Sequence, residues 1–486
     1  MESALFIWQP SVHTWYFTRA IITVNQTNPI HFSSVWYNSP MKNPEYIPYK
    51  PKRSLGKMIL ITIPILMVIG ILLVQIPFFN RALSWRLILA ETYVRMALNP
   101  VDALPTPDLI TQPAPAVATS HSEADDSALT AIPTTMAPPI SPALNVAVTP
   151  SPALSPTPTM VPTPLPPVNL LPPPPFDIAR DIEDWNNCGP ATMALYLRYY
   201  GWVGDQYDIA KVIKPTREDA NVNVDELAYY VRTQAGWLNA EFRVNGDTDT
   251  LRKFLSAGIP VMIEETFTTD RKYWPNDDLW AGHYLLLTGY DDRVQQFTVQ
   301  DVELGPNQKI DYAALRDHWE SFNHVYLLVF KPEQSGTVKL LLGNDWDATV
   351  NRQNALKASQ MDTQDHPKSA FAWFNLGTNL VYFDRYTEAA PAYDTARSIG
   401  IPARMLRYQF GPFITYFHVG RIDDLMALTK YALSITRVSE EAMLWRAWGF
   451  YRQGDKSAGI SQLNAALQIR PTYADALYAL DYMNKN

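Results

Sequence analysis

The chain has 486 residues and a formal charge of −8, from 40 Lys and Arg against 48 Asp and Glu. That length allows about three domains if all of it folds, and an acidic balance without clustered Lys and Arg argues against nucleic acid as a partner. A single cysteine, Cys188, excludes an internal disulfide framework, a Cys-rich zinc site and a redox pair.

Residues 1–57 are expected to form a cytoplasmic amino-terminal segment. Met41 opens a short basic leader with Lys50, Lys52, Arg53 and Lys57, and is an alternative start of translation. From Met58 to Phe79 there are 22 residues without a charge, long enough as a helix for the ~30 Å hydrocarbon core of a bilayer. The basic flank predicts one transmembrane helix over 58–79, with the amino terminus cytoplasmic and the globular part of the chain extracytoplasmic. Residues 81–98 have the pattern of an amphipathic helix that would lie on the membrane through Trp85, Ile88, Leu89, Tyr93 and Met96. Of the 40 prolines, 20 fall between Val101 and Pro175, a stretch without Lys or Arg. Segment 80–175 therefore reads as this juxtamembrane helix followed by a disordered Pro, Thr and Ala-rich stalk.

A first globular domain is expected over 176–335. Trp185-Asn186-Asn187-Cys188-Gly189-Pro190 leads into an apolar pattern of helical spacing, so Cys188 sits at a helix amino terminus with Pro190 in the first turn. Unpaired N–H groups and the helix dipole there favour a thiolate, the nucleophilic form of cysteine. A thiolate catalyst needs an imidazole in reach and a third group to orient it. His283 opens an apolar run to Tyr290 that reads as a buried strand, Asp291-Asp292-Arg293 as a turn, and Gln296–Asp301 as the returning strand. An antiparallel hairpin brings Asp301 back to the end of the sheet that holds His283. His318 and His324 have no carboxylate at hairpin spacing. Helices are expected over 223–233 and 247–257 and a strand over 258–264, and the aromatic, acidic loop 273–280 either lines a cleft or packs locally. Helices followed by an antiparallel sheet suit an α+β fold.

The segments Asn187–Thr192, Tyr199-Tyr200-Gly201, Gly282-His283-Tyr284, Thr288–Asp291 and Asp301 together resemble the papain-like cysteine peptidases that remove double-glycine leader peptides, particularly their stand-alone relatives. The resemblance implies Cys188 as nucleophile, His283 as general base and acid, and Asp301 as the residue orienting the imidazole. It implies no cofactor and no metal, and the absence of a GxxxxGK[ST] motif separates the chain from relatives fused to an ATPase. One position departs from the family, which carries an oxyanion-binding Gln a few residues before the Cys. Glu183 stands about there, and an ionised carboxylate cannot donate a hydrogen bond. Asn186 and Asn187 are alternative oxyanion donors.

Beyond Leu340 the pattern becomes helical and self-similar. Trp373, Leu376, Gly377, Tyr386, Ala389, Tyr393 and Ala396 match the tetratricopeptide pattern, with units starting near Ala370, Leu406 and Glu440. Segment 340–486 is therefore expected to be an all-α repeat domain whose concave face takes a peptide or protein partner. The expected function is a membrane-anchored extracytoplasmic cysteine peptidase acting on a peptide or protein. The alternatives are a binding module that holds a peptide without cutting it, because of Glu183, or an acyl or amide transferase on the same triad.

Overall fold

A computed structural model describes residues 77–98, 100, 103–107, 164–214, 216 and 221–486 of the protein. The expected amino-terminal segment and most of the apolar span 58–79 lie outside the described residues. No helix among the described residues is long and apolar enough to cross a membrane. The first helix, α1 (Pro77–Leu98), begins earlier than the pattern predicts; of its expected membrane contacts Tyr93 is exposed, Met96 is not, and the side chains of Trp85, Ile88 and Leu89 lie outside the described residues. Met96 is buried in an apolar cluster that also holds residues of the α/β domain and of the repeats, because protein offers it the same apolar contact that lipid would.

The elements that follow are β1 (Val168–Leu170), α2 (Ile178–Asp181), α3 (Cys188–Tyr199), α4 (Gln206–Ile213), α5 (Val224–Gln234), β2 (Asn239–Arg243) and α6 (Thr248–Ser256). Then come β3 (Val261–Thr268), β4 (Trp280–Asp291), β5 (Gln296–Asp301), β6 (Gly305–Asp311), α7 (Tyr312–Trp319), β7 (Tyr326–Phe330) and α8 (Ser335–Leu342). The strands form one antiparallel sheet in the order β2-β7-β3-β4-β5-β6, with β1 pairing β4 where β3 has ended. The sheet is covered on both faces. Leu286, Met262 and Leu327 pack on α3 and α5, while Leu285, Leu287, Ile263 and Leu328 pack on α6 and α7. Burial on both sides is why 283–290 reads as a continuous apolar run rather than an alternating one.

The end of the expected stalk is part of this domain. Val168, Asn169 and Leu170 pair with Asp291, Tyr290 and Gly289, and Leu171 is buried. Three strand residues inside a proline-rich stretch carry too little pattern to be told from linker. Gly289 is where the approach is closest, since a Cβ there would sit 2.7 Å from the Asn169 carbonyl oxygen.

The carboxy-terminal region is helical: α9 (Ala348–Asp365), α10 (Ala370–Val381), α11 (Tyr386–Ile399), α12 (Met405–Tyr408), α13 (Gly411–His418), α14 (Ile422–Ile435), α15 (Glu440–Arg452), α16 (Lys456–Ile469) and α17 (Ala474–Lys485). The pairs α10/α11, α13/α14 and α15/α16 are tetratricopeptide units, with α17 packed after the last. The second unit starts at Gly411, not near Leu406. Gln409 is extended, and this break separates the short helix α12 from the unit. Freed from the repeat, the α12 segment turns to the α/β domain, where Met405 and Leu406 share a core with Trp274, Trp280 and Phe322.

Arg404, just before α12, anchors that contact. Its guanidinium donates to both Asp277 oxygens at 2.7 and 2.6 Å and to the Trp280 carbonyl at 2.8 Å, and lies 4.2 Å from the Trp274 ring centre. Loop 273–280 is thus the docking point of the repeats as well as part of a cleft wall. Both side chains are nearly inaccessible, at 4% and 0% exposure, so removing one leaves a buried charge without its partner. Asp277→Ala is expected to lower the unfolding free energy by about 3–5 kcal/mol in urea titrations followed by tryptophan fluorescence.

Candidate functional site

Cys188 is the first residue of α3, where its backbone N–H has no acceptor within the helix. The helix is fixed to the sheet by its apolar face and by Thr192 Oγ1, which donates to the Tyr284 carbonyl at 3.1 Å. That bond is one residue from His283, so the helix amino terminus and the histidine are held to the same strand. A ligand atom from each of Glu183, Cys188 and His283 lies within 4.8 Å of the other two. His283 Nε2 is 3.0 Å from Asp301 Oδ1, which leaves Nδ1 for the thiol. Asp301 is held in turn by the backbone N–H groups of Glu303 and Leu304, at 2.7 and 3.1 Å to the same oxygen.

The meeting of His283 and Asp301 depends on a β-bulge. Gln296 pairs with Asp291 and Thr298 with Gly289, but beyond the irregularity at Thr288 the register shifts and Asp301 pairs with Leu285. Without that extra residue Asp301 would stand opposite Leu286, on the other face from His283. The bulged Thr288 is buried and its hydroxyl accepts from Gln300 Nε2 at 2.9 Å.

The electrostatics follow from burial. Burial alone would lower the pKa of His283, yet the Asp301 hydrogen bond, the Cys188 contact and the charge of Glu183 raise it well above the ordinary imidazole value. Burial would raise the Asp301 carboxyl, but His283 and the two N–H groups hold it below the usual range. The Cys188 thiol is pushed up, first by burial and then by Glu183, against the opposing pull of His283. Desolvation of a thiolate thus acts against the helix terminus, which favours it. Burial drives Glu183 to about 7, with Glu303 and Asp301 adding to the effect and His283 and Lys214 opposing it.

The loop before the cysteine places the oxyanion alternatives. Asn187 is buried, and one N–H of its side-chain amide donates to Gln206 Oε1 at 2.7 Å. Asn186 has a left-handed backbone, φ 54°, and its side-chain oxygen accepts from Arg407 of α12. Its carbonyl accepts from Lys214 Nζ at 2.8 Å. Gln206 also accepts from the Asp184 N–H and donates to the carbonyls of Arg180 and Ile182. Gln206, Lys214 and Arg407 thus shape this loop, and the sequence carries no local signal for any of them. His318 and His324 stand elsewhere. His318 faces Glu265 at 3.7 Å, and His324 packs edge-on to Trp319 with its pKa lowered to about 4 by burial.

Cys188, His283 and Glu183 line a cleft of about 880 Å³. Tyr273, Trp274 and Phe267 form part of its wall, Arg404, Arg407, Tyr408 and residues 435–438 of the repeat region another, and Glu91, Thr92 and Arg95 of α1 a third.

Residues 173–327 match the model of the Peptidase_C39 like family. They form a C39-like domain. A search of curated proteins found no match to the chain. Among solved structures, one described as a C39-like peptidase from Bacillus anthracis shares 16% identity over 30% of this chain and 89% of its own, with a TM-score of 0.24. A double glycine motif protease from an AMS/PCAT transporter, in complex with the leader peptide, shares 18% over 30% and 85%, with a TM-score of 0.22. YrrB, a TPR protein with an unusual peptide-binding site, shares 17% over 32% and 79%, with a TM-score of 0.25.

The C39-like domain makes a direct electrostatic prediction. Asp301→Asn removes the carboxylate that favours the imidazolium, so the His283 pKa is expected to fall. NMR titration of the His283 ring protons checks this, and an unchanged value would remove Asp301 from the role of orienting group.

Proposed function

We propose that the C39-like domain is a cysteine peptidase that cuts a peptide segment held in the cleft. The observation that carries this reading is the convergence of Sγ of Cys188 and a ring nitrogen of His283 on the cleft, with the second ring nitrogen 3.0 Å from Asp301. In the reaction His283 takes the thiol proton at Nδ1, and a sulfur lone pair forms the C–S bond while the carbonyl π pair moves to oxygen. Collapse of that intermediate expels the amine, which takes the proton back from Nδ1. Water, deprotonated by His283, then attacks the thioester carbonyl, and collapse breaks the C–S bond, releasing the acid and the Cys188 thiolate, which takes the proton back from Nδ1. Asp301 keeps Nδ1 directed at sulfur and stabilises the imidazolium. Metal on Sγ would withdraw charge from the attacking sulfur, and the chemistry calls for no cofactor.

The repeats supply one wall of the cleft through Arg407, Tyr408 and 435–438, which supports a role in presenting the peptide or its parent protein. The apolar span 58–79 supports anchorage to a membrane, with the domain held outside the cytoplasm on its proline-rich stalk. Peptide binding without cleavage is a second reading, favoured by Glu183, whose ionised form would oppose an oxyanion.

A fluorescent peptidyl electrophile, offered to the full chain in detergent, tests the first reading. Labelling is expected to vanish in Cys188→Ala and to slow about 10²-fold or more in His283→Ala, the range expected for loss of a general base. Labelling no faster than that of a free thiol, or unchanged without His283, would leave only the binding role.

A further inference from the structure

Glu183 lines the cleft beside Cys188 and His283 and is left unused by the mechanism above. Its carboxylate lies within 4.8 Å of the attacking sulfur and of the imidazole, and Oε2 is buried without a hydrogen-bond partner. The backbone is fixed, since the Glu183 N–H donates to the Val302 carbonyl at 2.8 Å. The neighbouring amide of Asn187 gives one N–H to Gln206. Lys214, the nearest ammonium on that side, directs its Nζ at the carbonyls of Trp185 and Asn186.

We infer that Glu183, in its neutral form, donates its carboxyl proton in a hydrogen bond to the oxyanion created when Cys188 attacks. This rests on the cysteine-peptidase reading and deepens it. An ionised carboxylate at this place would repel the developing charge and has nothing to donate, whereas a carboxylic acid kept neutral by its surroundings is an effective donor. The surroundings do keep it so. The groups facing Glu183 are Cys188, His283, Asp301, Glu303, Lys214 and Tyr273. Burial and the two acids drive its carboxyl up to about 7, over the opposition of His283 and Lys214. Below that pH the acid form predominates. Neutral Glu183 also removes one of the charges that raise the Cys188 pKa, so the donor form and the nucleophilic thiolate favour each other.

The experiment compares two reactions of Cys188 in the full chain in detergent micelles. Acylation by a peptidyl p-nitrophenyl ester passes through an oxyanion and has a leaving group that needs no proton, whereas alkylation by iodoacetamide forms no oxyanion. The quotient of their rates cancels the thiolate fraction and isolates oxyanion stabilisation. Measured from about pH 5 to about 9, the wild-type quotient is expected to stay level below about 7 and then fall about tenfold per pH unit as the acid ionises. In Glu183→Gln the amide does not titrate, so the quotient is expected to stay level throughout. In Glu183→Ala it is expected to be lower than in Glu183→Gln by about 10²–10³-fold, as for loss of one oxyanion donor. A level wild-type quotient, or the same fall in Glu183→Gln, overturns the inference while leaving the peptidase reading intact. If neither reagent modifies Cys188 faster than free cysteine at any pH, the peptidase reading itself fails and takes this inference with it.

Discussion

Between Leu287 and Gly289 the pairing of β4 with β5 slips by one residue, and the geometry around the thiol depends on that slip. Side chains alternate across a sheet, so one extra residue moves every later side chain of β5 to the opposite face relative to β4. The slip puts Asp301 diagonal to His283 on one face, where its carboxylate takes Nε2 and leaves Nδ1 for sulfur. The extra residue is accommodated because Thr288 is satisfied by Gln300, and because Gly289 admits the backbone of β1 at the same place. Strand β4 is therefore the common reference of the site. It carries the histidine, receives α3 through Thr192 and Tyr284, sets the face of Asp301, and at its first residue offers the Trp280 carbonyl to Arg404.

The repeats are joined to the C39-like domain by a charge buried between aromatic rings, not by a loose tether. Arg404 spans Asp277 and Trp274, and three residues later Arg407 holds Asn186 in the loop before the cysteine. Through this segment the position of the repeats reaches the loop that carries Glu183 and Cys188. A shift of the repeat wall would therefore alter both the shape of the cleft and the hold on that loop.

Burial gives the site two opposed consequences. It strengthens the His283–Asp301 pair by excluding competing water, and it disfavours a free thiolate on Cys188 and a free carboxylate on Glu183.

Much of this was legible in the chain. Cys188 before Gly189-Pro190 marks a helix start because Pro fits the first turn; the run from His283 to Tyr290 marks a strand covered on both faces; Gly377, Tyr393 and their counterparts mark helix pairs in tight contact. These are local patterns, set by backbone sterics and by the period of apolar residues, and they establish the C39-like domain and the repeats. What no local pattern contains is the register slip at Thr288, the strand Val168–Leu170 inside a proline-rich stretch, the break that turns Met405–Tyr408 away from the second repeat, and the capture of Asn187 by Gln206. The upward shifts of Cys188 and Glu183 also came only with the fold. They depend on how many groups crowd a side chain from distant parts of the sequence, and desolvation by such neighbours exists only once the chain has closed around the site.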